Sequence, residues 1–435
     1  MDADEQPQLP SEIPPALETP GALGRVRKLL IDLEPLRISR EFKLLWVGES
    51  ISDIGSHITG VVAIPYQVYH QTRSPLAVGL LGLTSLIPFL TLSLVGGAIA
   101  DSMDKRKLII RCDIALAAMS GLLAINALPH LRYLWVLYAI STVQAGLFAL
   151  QAPGMRSLVP RLVPTEMFPS ANALMSSTGN ASHLLGPTIG GVLIATVGLT
   201  NTYLVDFVSF SAALIAVFMM QPQPPAEGSE PFSVEAIKQG IRFLKGRKVL
   251  QSTFTIDLNA MIFGMPMALF PAMAVRLGGG AKLTGVLYAA PFFGSFLVTI
   301  LSGRARHVRK QGLAVMVCVV LWGAFIAGFG LAHSVWLALL MLALAGAADM
   351  VSAIYRSTIL QTVAPDEMRG RLSGIELAVV ASGPSLGDVE AGVVASLVNL
   401  PFAIVSGGIA CIAGVGVLAA RIPQFARYDA KNPTP

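Results

Sequence analysis

Carboxylates and one histidine recur inside apolar stretches of this 435-residue chain, and their chemistry stands out first. Asp388 and Glu390 lie among glycines and small apolar residues in ASGPSLGDVEAGVVA. Glu49, Asp53 and His57 are four residues apart, so a helix places them on one face. A charge at the centre of a bilayer costs roughly 2.5–3.5 kcal/mol even on insertion scales. Carboxylates and imidazoles in such places can carry protons, because their surroundings decide whether they are charged.

The segments that must position these groups are long and apolar. Hydrophobic residues make up 54% of the chain and charged residues 13%, whereas soluble domains are about 25% charged. A helix of about 20 apolar residues crosses the hydrocarbon core. We therefore predict an all-α membrane protein with twelve transmembrane helices in two parallel-repeat six-helix bundles. The predicted segments, numbered 1 to 12, cover residues 42–70, 77–100, 107–128, 133–153, 171–196, 201–220, 250–275, 283–302, 312–331, 334–355, 372–396 and 401–420.

Basic residues are concentrated on one predicted side of the membrane. With residues 1–41 in the cytoplasm, all but four of the 31 lysines and arginines fall in cytoplasmic segments. The four on the other side are Arg73, Arg132, Arg276 and Lys282. This asymmetry predicts a multi-pass protein of the cell (inner) membrane with both termini cytoplasmic. The net charge of +5 then indicates contact with anionic lipid at the cytoplasmic face and no nucleic-acid partner.

Two related stretches indicate an internal repeat. RSLVPRLVPTEM begins at Arg156 and RSTILQTVAPDEM at Arg356, and each leads into a segment with a Gly-Pro pair, at Gly186 and Gly383. Both copies lie on the same predicted side, six segments apart, which is typical of parallel repeats in secondary transporters. The start of the chain is acidic and proline-rich, so we expect no cleavable signal peptide.

The predicted organisation has five parts. Residues 1–41 form a cytoplasmic segment, first disordered and then amphipathic, and residues 42–220 form the N-terminal bundle. Residues 221–249 form a cytoplasmic linker with an interfacial helix, residues 250–421 the C-terminal bundle, and residues 422–435 a cytoplasmic tail.

The connection between segments 2 and 3, GGAIADSMDKRK, resembles a motif of the major facilitator superfamily, Gly-x-x-x-Asp-basic-x-Gly-basic-basic. Ser102 stands where that family has a basic residue, and Asp104 stands where it has glycine. In the family this loop latches the two halves together, so the resemblance implies a latch here. The residues of this gate motif are Gly97, Asp101, Asp104, Lys105 and Arg106.

A second resemblance lies in segment 5. GPTIGG, with Gly186, Pro187, Gly190 and Gly191, is similar to the glycine-rich antiporter motif of exporters in the same superfamily. Close helix packing is the alternative reason for these residues. GESISDIGSHI and GPSLGDVEAG most resemble bacterial siderophore exporters of the enterobactin-exporter type, with macrolide-efflux proteins as near relatives. The resemblance implies export of a siderophore-like or amphipathic metabolite, or alternatively broad drug efflux.

Polar residues recur on segments 1, 4, 7 and 10, which face the central cavity in that superfamily. The alternative for each residue is a structural hydrogen bond between helices. Asp113 and Asp206, near segment ends, are expected at the membrane interface. The candidates for proton coupling or substrate contact are Asp53, Glu49, His57, Asp257, Asp349, Asp388, Glu390, Gln144 and Gln151.

The motifs of other function classes are missing from the sequence. It has no nucleotide-binding loop, no Gly-x-Ser-x-Gly and no His-Glu-x-x-His, so we expect no enzyme, no cofactor and no metal. The three cysteines, Cys112, Cys318 and Cys411, are expected to be packing residues. A gradient must then drive transport. We predict a monomeric secondary exporter that works by alternating access, with protons as the coupling ion; a transporter-fold sensor without transport is the alternative from another class.

Overall fold

The computed structural model describes residues 32–224, 239, 242–301 and 308–430. Regular secondary structure within these ranges is helical, so the prediction of an all-α protein is confirmed for them. The predicted disordered start and most of the proline-rich linker fall outside the described residues.

Within the described residues, seven α-helices precede the linker. They are α1 (Glu34–Ile38), α2 (Arg40–His57), α3 (Ile64–Thr72), α4 (Pro75–Ser102), α5 (Lys105–Asn126), α6 (Leu134–Leu162) and α7 (Phe168–Phe218). A π-helical turn, Ile58–Ala63, joins α2 to α3 without interruption, and a 3-10 turn, Thr165–Met167, precedes α7. Gly198 has a φ of 82°, and this left-handed residue kinks α7 between predicted segments 5 and 6.

After the linker, long hydrophobic helices again follow one another along the chain. They are α8 (Lys248–Gly264), α9 (Phe270–Arg276), α10 (Ala281–Leu301), α11 (Gln311–Gly330), α12 (Val335–Val363), α13 (Asp366–Leu397), α14 (Leu400–Arg421) and α15 (Pro423–Ala426). A 3-10 turn, Met267–Leu269, separates α8 from α9. Pro266 precedes this turn and has no N–H with which to continue α8, so predicted segment 7 is broken.

Ten helical segments of the described chain are long and apolar enough to cross a membrane. One of them, Thr165–Phe218, covers both predicted segments 5 and 6. The α2–α3 unit, which contains predicted segment 1, is not among the ten, because carboxylates and other polar residues interrupt its apolar sequence. The chain is therefore a multi-pass membrane protein.

Contacts between connections and termini define one end of the molecule. At the start of α2, Glu41 accepts a hydrogen bond from the backbone N–H of Gln221, just after α7, at 2.9 Å. In the second half, Arg309 before α11 forms an ion pair of 2.8 Å with Asp429 in the C-terminal segment. We call this the terminal end, and the other the opposite end.

Two helix crossings join the halves near the opposite end, α4 with α13 and α7 with α10. Both depend on glycine. A Cβ on Gly79 would collide with the backbone carbonyl of Asp388, and one on Gly191 would lie 2.6 Å from the carbonyl oxygen of Ala281. Gly285 on α10 faces Gly191 with similar closeness. The halves therefore approach backbone to backbone at the opposite end.

Candidate transport site

A cavity of about 320 Å³ lies among α2, α5, α6 and α7. Three carboxylates line it, Glu49, Asp53 and Asp113, together with Gln151 and Arg156. Glu49 and Asp53 face the same cavity because four residues separate them on α2. Arg156 is exposed and forms no ion pair within the described ranges. Among the described residues of the first half, three acids and one arginine without an ion pair therefore line the same cavity.

Asp113 and Asp206, which were expected at the membrane interface, are buried between helices. Asp113 is 2% exposed and accepts a hydrogen bond from Nε2 of Gln151 at 2.9 Å. Asp206 is fully buried and accepts one from the Ser120 hydroxyl at 2.7 Å. Neighbouring helices supply these donors, which allows a carboxylate near a helix end to turn inward.

A second cavity, of about 330 Å³, lies between the two halves. Gln144 of α6 and Asp388 of α13 both line it, as does Tyr288 of α10. Phe148 lines this cavity and also the first, so the two spaces adjoin at its ring. Predicted residues from α2, α6 and α13 therefore line two neighbouring cavities.

Asp388 also holds the break between α8 and α9. Its Oδ1 accepts a hydrogen bond from the backbone N–H of Ala268 at 2.7 Å. The Tyr288 hydroxyl donates to the carbonyl of Met267 at 3.0 Å. The carboxylate takes the position of a helix cap, since it satisfies an N–H that the broken helix leaves free. A change in its charge would act directly on this break.

Arg356 joins two predicted residues of the second half. Its Nη2 lies 2.8 Å from Oδ1 of Asp257 and 3.9 Å from Oδ1 of Asp349. The side chains of Arg356 and Asp257 are only 11% and 7% exposed. The 2.8 Å contact between Arg356 and Asp257 is an ion pair, but its angles are not those of a hydrogen bond. Sequence reasoning missed Arg356 because predicted segment 10 ended at residue 355, whereas α12 continues to Val363.

His57 contacts a second histidine that sequence reasoning missed. Its Nε2 lies 3.1 Å from Nδ1 of His183 on α7, and its Nδ1 lies 2.7 Å from the carbonyl oxygen of Asp53. That oxygen can only accept, so His57 Nδ1 carries a hydrogen; with His57 neutral, its Nε2 accepts from an N–H at Nδ1 of His183. The free Nε2 of His183 can then take one further proton while the hydrogen bond between the rings persists.

The histidine pair lies at the contact between the halves. The His183 ring stacks on Phe292 of α10, with centroids 4.7 Å apart and an angle of 17° between the planes. The side chain of Asp53 is 3.5 Å from His57. No signal in the sequence links His183 to His57, because 126 residues separate them.

The glycine motif of predicted segment 5, which lies on α7, packs against α2 and α10. An added Cβ on Gly186 would lie 2.5 Å from Cβ of His57, and one on Gly190 would lie 3.3 Å from Cα of Ile58. Pro187 is buried in the same face. The motif therefore supports close helix contact, whatever further role it has.

The gate motif is described in part. Asp104 caps α5 by accepting from the N–H of Lys107 at 3.3 Å. Arg106 donates to the carbonyls of Val217 and Phe218 at the end of α7, at 3.0 and 2.6 Å, and Lys105 is buried. The surroundings of Gly97 and the side chain of Asp101 are outside what the structure describes. The contacts of Arg106 stay within the first half.

Two further polar residues, the predicted Glu390 and Asn259 of α8, lie apart from these cavities. Glu390 is half-buried and lines neither space. Asn259 donates to the carbonyl of Cys411 at 2.9 Å, a structural link between α8 and α14. In the part of the chain that the structure describes, no three His, Cys, Asp or Glu side chains are grouped as metal ligands.

Comparisons with known proteins agree with this architecture. The sequence profile of the major facilitator family described as transmembrane secretion effector matches residues 31–434. The enterobactin exporter of Citrobacter koseri is 27% identical over 414 residues, which cover 93% of this chain and 97% of that protein. The enterobactin exporter of Salmonella typhimurium is 28% identical over 367 residues, which cover 82% and 86%.

Solved transporters share the fold at lower identity. A bacterial homologue of the human lysosomal transporter Spinster, in an inward-facing and unoccupied conformation, has a TM-score of 0.65 at 17% identity, covering 91% of this chain and 98% of that chain. The nucleoside transporter NupG has a TM-score of 0.66 at 12% identity, covering 89% and 99%.

Proposed function

Because the chain belongs to the major facilitator family of transmembrane secretion effectors, we propose that it is a secondary active exporter of a siderophore-like small molecule, driven by proton antiport. The observation that carries this proposal is the adjoining pair of cavities, which carboxylates from both halves line. The names of the relatives support the substrate class. The fold class supports a membrane carrier over an enzyme.

The proposed protein has twelve spans in two six-helix bundles, with the α2–α3 unit as the first span and α7 contributing two. The terminal end is cytoplasmic, where basic residues contact anionic lipid. The glycine crossings then close the extracytoplasmic side, so that the cavities face the cytoplasm. Alternating access would open these crossings and close the terminal end. The proposed unit of transport is a monomer.

Protons are the proposed coupling ion because groups that can change charge lie at contacts between helices. Asp388 lies at the break between α8 and α9, and the His57–His183 pair lies where α7 meets α10. Asp257 and Asp349 share Arg356. A proton bound at any of these positions changes a contact that differs between the two states.

Inverted membrane vesicles provide the test of this function. With an acid interior, vesicles that contain the protein should accumulate labelled enterobactin, and a protonophore should abolish the accumulation. Vesicles without the protein are the control. Accumulation of erythromycin and unrelated drugs instead would favour the broad efflux alternative. If enterobactin binds but neither compound moves, the protein is a sensor and the exporter proposal is wrong.

Cysteine labelling tests the proposed topology. In a background without the native cysteines, Lys107→Cys and Lys245→Cys should react with a membrane-impermeant reagent only after the cytoplasmic face is opened. Arg276→Cys, at the opposite end, should react in intact cells, because that residue is exposed at the end of α9. Labelling of the first two positions in intact cells would reverse the orientation.

A further inference from the structure

A separate pocket of about 200 Å³ lies at the opposite end of the first half. Its polar lining comes from Tyr66, Gln67, His70 and Gln71 at the end of the first span, and from Arg132 in the connection between α5 and α6. Ile194 and Leu199 form its apolar part. None of these residues lines the two cavities between the helices.

Two buried amide nitrogens at this pocket have no hydrogen-bond partner within the described residues. Gln67 is 2% exposed; its Oε1 accepts from the Tyr203 hydroxyl at 2.7 Å, and its Nε2 has no hydrogen-bond partner within the described residues. Gln71 Nε2 is likewise buried and unpaired there. The two residues are four apart on α3 and face the same side. Buried donors of this kind are rare unless something else accepts their hydrogens.

Arg132 is held at the rim by a built turn. Asn126 accepts from the Arg132 N–H through its carbonyl and from the Tyr133 N–H through its side chain, both at 2.9 Å. The Asn126 amide also donates to the Tyr133 carbonyl at 3.1 Å. These three bonds keep Arg132 at a φ of 43°, a left-handed conformation that a non-glycine residue adopts at a cost.

The charges around the pocket have one sign. The guanidinium of Arg132 forms no ion pair in the described part of the chain, and no carboxylate is among the lining residues. His70 stacks on Tyr66 at 5.8 Å and adds a donor when it is protonated. Unpaired donors, one exposed cation on a held backbone and no acid in the lining favour a ligand that brings acceptor oxygens.

We propose that this pocket binds an anionic oxygen group, a carboxylate or a phosphate. Arg132 supplies the charge at the rim, and the unpaired amide nitrogens of Gln67 and Gln71, which lie beneath the pocket surface, donate to the oxygens once these side chains turn toward the ligand. The volume is below that of a typical pocket for a drug-sized molecule, so one anionic group enters rather than a whole substrate. Two sources have this chemistry: the phosphate of a lipid headgroup, and a small free anion.

Thermal unfolding of the purified full-length protein in neutral detergent tests this site. The probes are sodium phosphate and sodium acetate, against sodium chloride at equal ionic strength, and phosphatidylglycerol added in mixed micelles. A ligand that binds the folded state raises the melting temperature. Arg132→Gln and the nearly isosteric Gln71→Glu should each weaken binding at least about tenfold, since a charged hydrogen bond is lost or an acid is added. Arg276→Gln, an exposed arginine at the same end, is the matched control.

The sources give different outcomes. A shift with phosphate or acetate that both pocket variants lose and Arg276→Gln keeps supports a free anion. A shift of that pattern with phosphatidylglycerol alone supports a lipid headgroup. If no probe shifts the wild-type protein, or if all variants respond like the wild type, the pocket does not bind anions and the proposal is wrong. Each of these outcomes is independent of transport.

Discussion

Arg356→Met is expected to lower the free energy of unfolding by about 3–5 kcal/mol, the usual cost of removing one partner of a buried ion pair. Asp257 would lose the only basic side chain within ion-pair distance among the described residues, while its carboxylate stays buried between helices. Thermal unfolding of the purified protein measures this loss. Enterobactin accumulation in vesicles should be abolished as well, because Arg356 is the cationic partner of both acids.

The double variant Arg356→Met with Asp257→Leu separates stability from transport. An apolar pair of similar volume often replaces a buried ion pair without loss of stability, so the melting temperature should recover. Transport should not recover, since the proposed function requires the charges. Arg156→Met is the matched control, because this arginine begins the other copy of the repeat and forms no described ion pair. Equal destabilisation by Arg156→Met and Arg356→Met would contradict this account of Asp257.

Local periodicity made much of the helical architecture predictable. Runs of apolar residues predicted where most of the described helices lie, and the spacing of Glu49 and Asp53 places both on one cavity. Helix ends were less predictable, because an apolar run ends where the chain leaves the hydrocarbon core. The backbone hydrogen bonds of the helix can continue beyond that point. Segment 4 was predicted to end at residue 153, whereas α6 continues to Leu162. The same effect excluded Arg356 from segment 10.

Partners distant in the chain could not be predicted from one sequence. His183 lies in a helix that reads as apolar, and only its packing shows that it contacts His57. Asp113 and Asp206 lie near helix ends, where an exposed carboxylate costs little, so sequence favoured the interface. Gln151 and Ser120 on neighbouring helices determine the outcome instead. Hydrogen bonds from neighbouring helices therefore determine where these carboxylates lie, and the local sequence does not show them.

The break in predicted segment 7 shows how a local signal and a distant partner combine. Pro266 interrupts the hydrogen bonds of the helix, although segment 7 was predicted to be continuous over residues 250–275. The N–H of Ala268 is satisfied by a carboxylate 120 residues further along. Asp388 was predicted as a proton carrier or a structural group, and its contact at the break is compatible with either role.

Two substitutions of Asp388 distinguish these roles. Asp388→Asn keeps an oxygen that can accept from the N–H of Ala268 and removes the group that binds a proton. Asp388→Ala removes both, and loss of a capping side chain costs about 0.5–2 kcal/mol. We therefore expect the asparagine variant to unfold near the wild-type temperature and the alanine variant to unfold earlier. Glu390→Gln, on the same helix but lining neither cavity, is the control for loss of a carboxylate.

Proton-driven accumulation in vesicles gives the decisive measurement. If Asp388 carries the coupled proton, Asp388→Asn should still bind enterobactin but lose accumulation against a gradient at every interior pH. The wild type should accumulate more as the interior becomes more acidic, because a protonated Asp388 loses the charge that strengthens its bond to Ala268. The break between α8 and α9 is then free to change as the halves move. Accumulation by Asp388→Asn with the pH dependence of the wild type would assign Asp388 a structural role and leave the proton to another group.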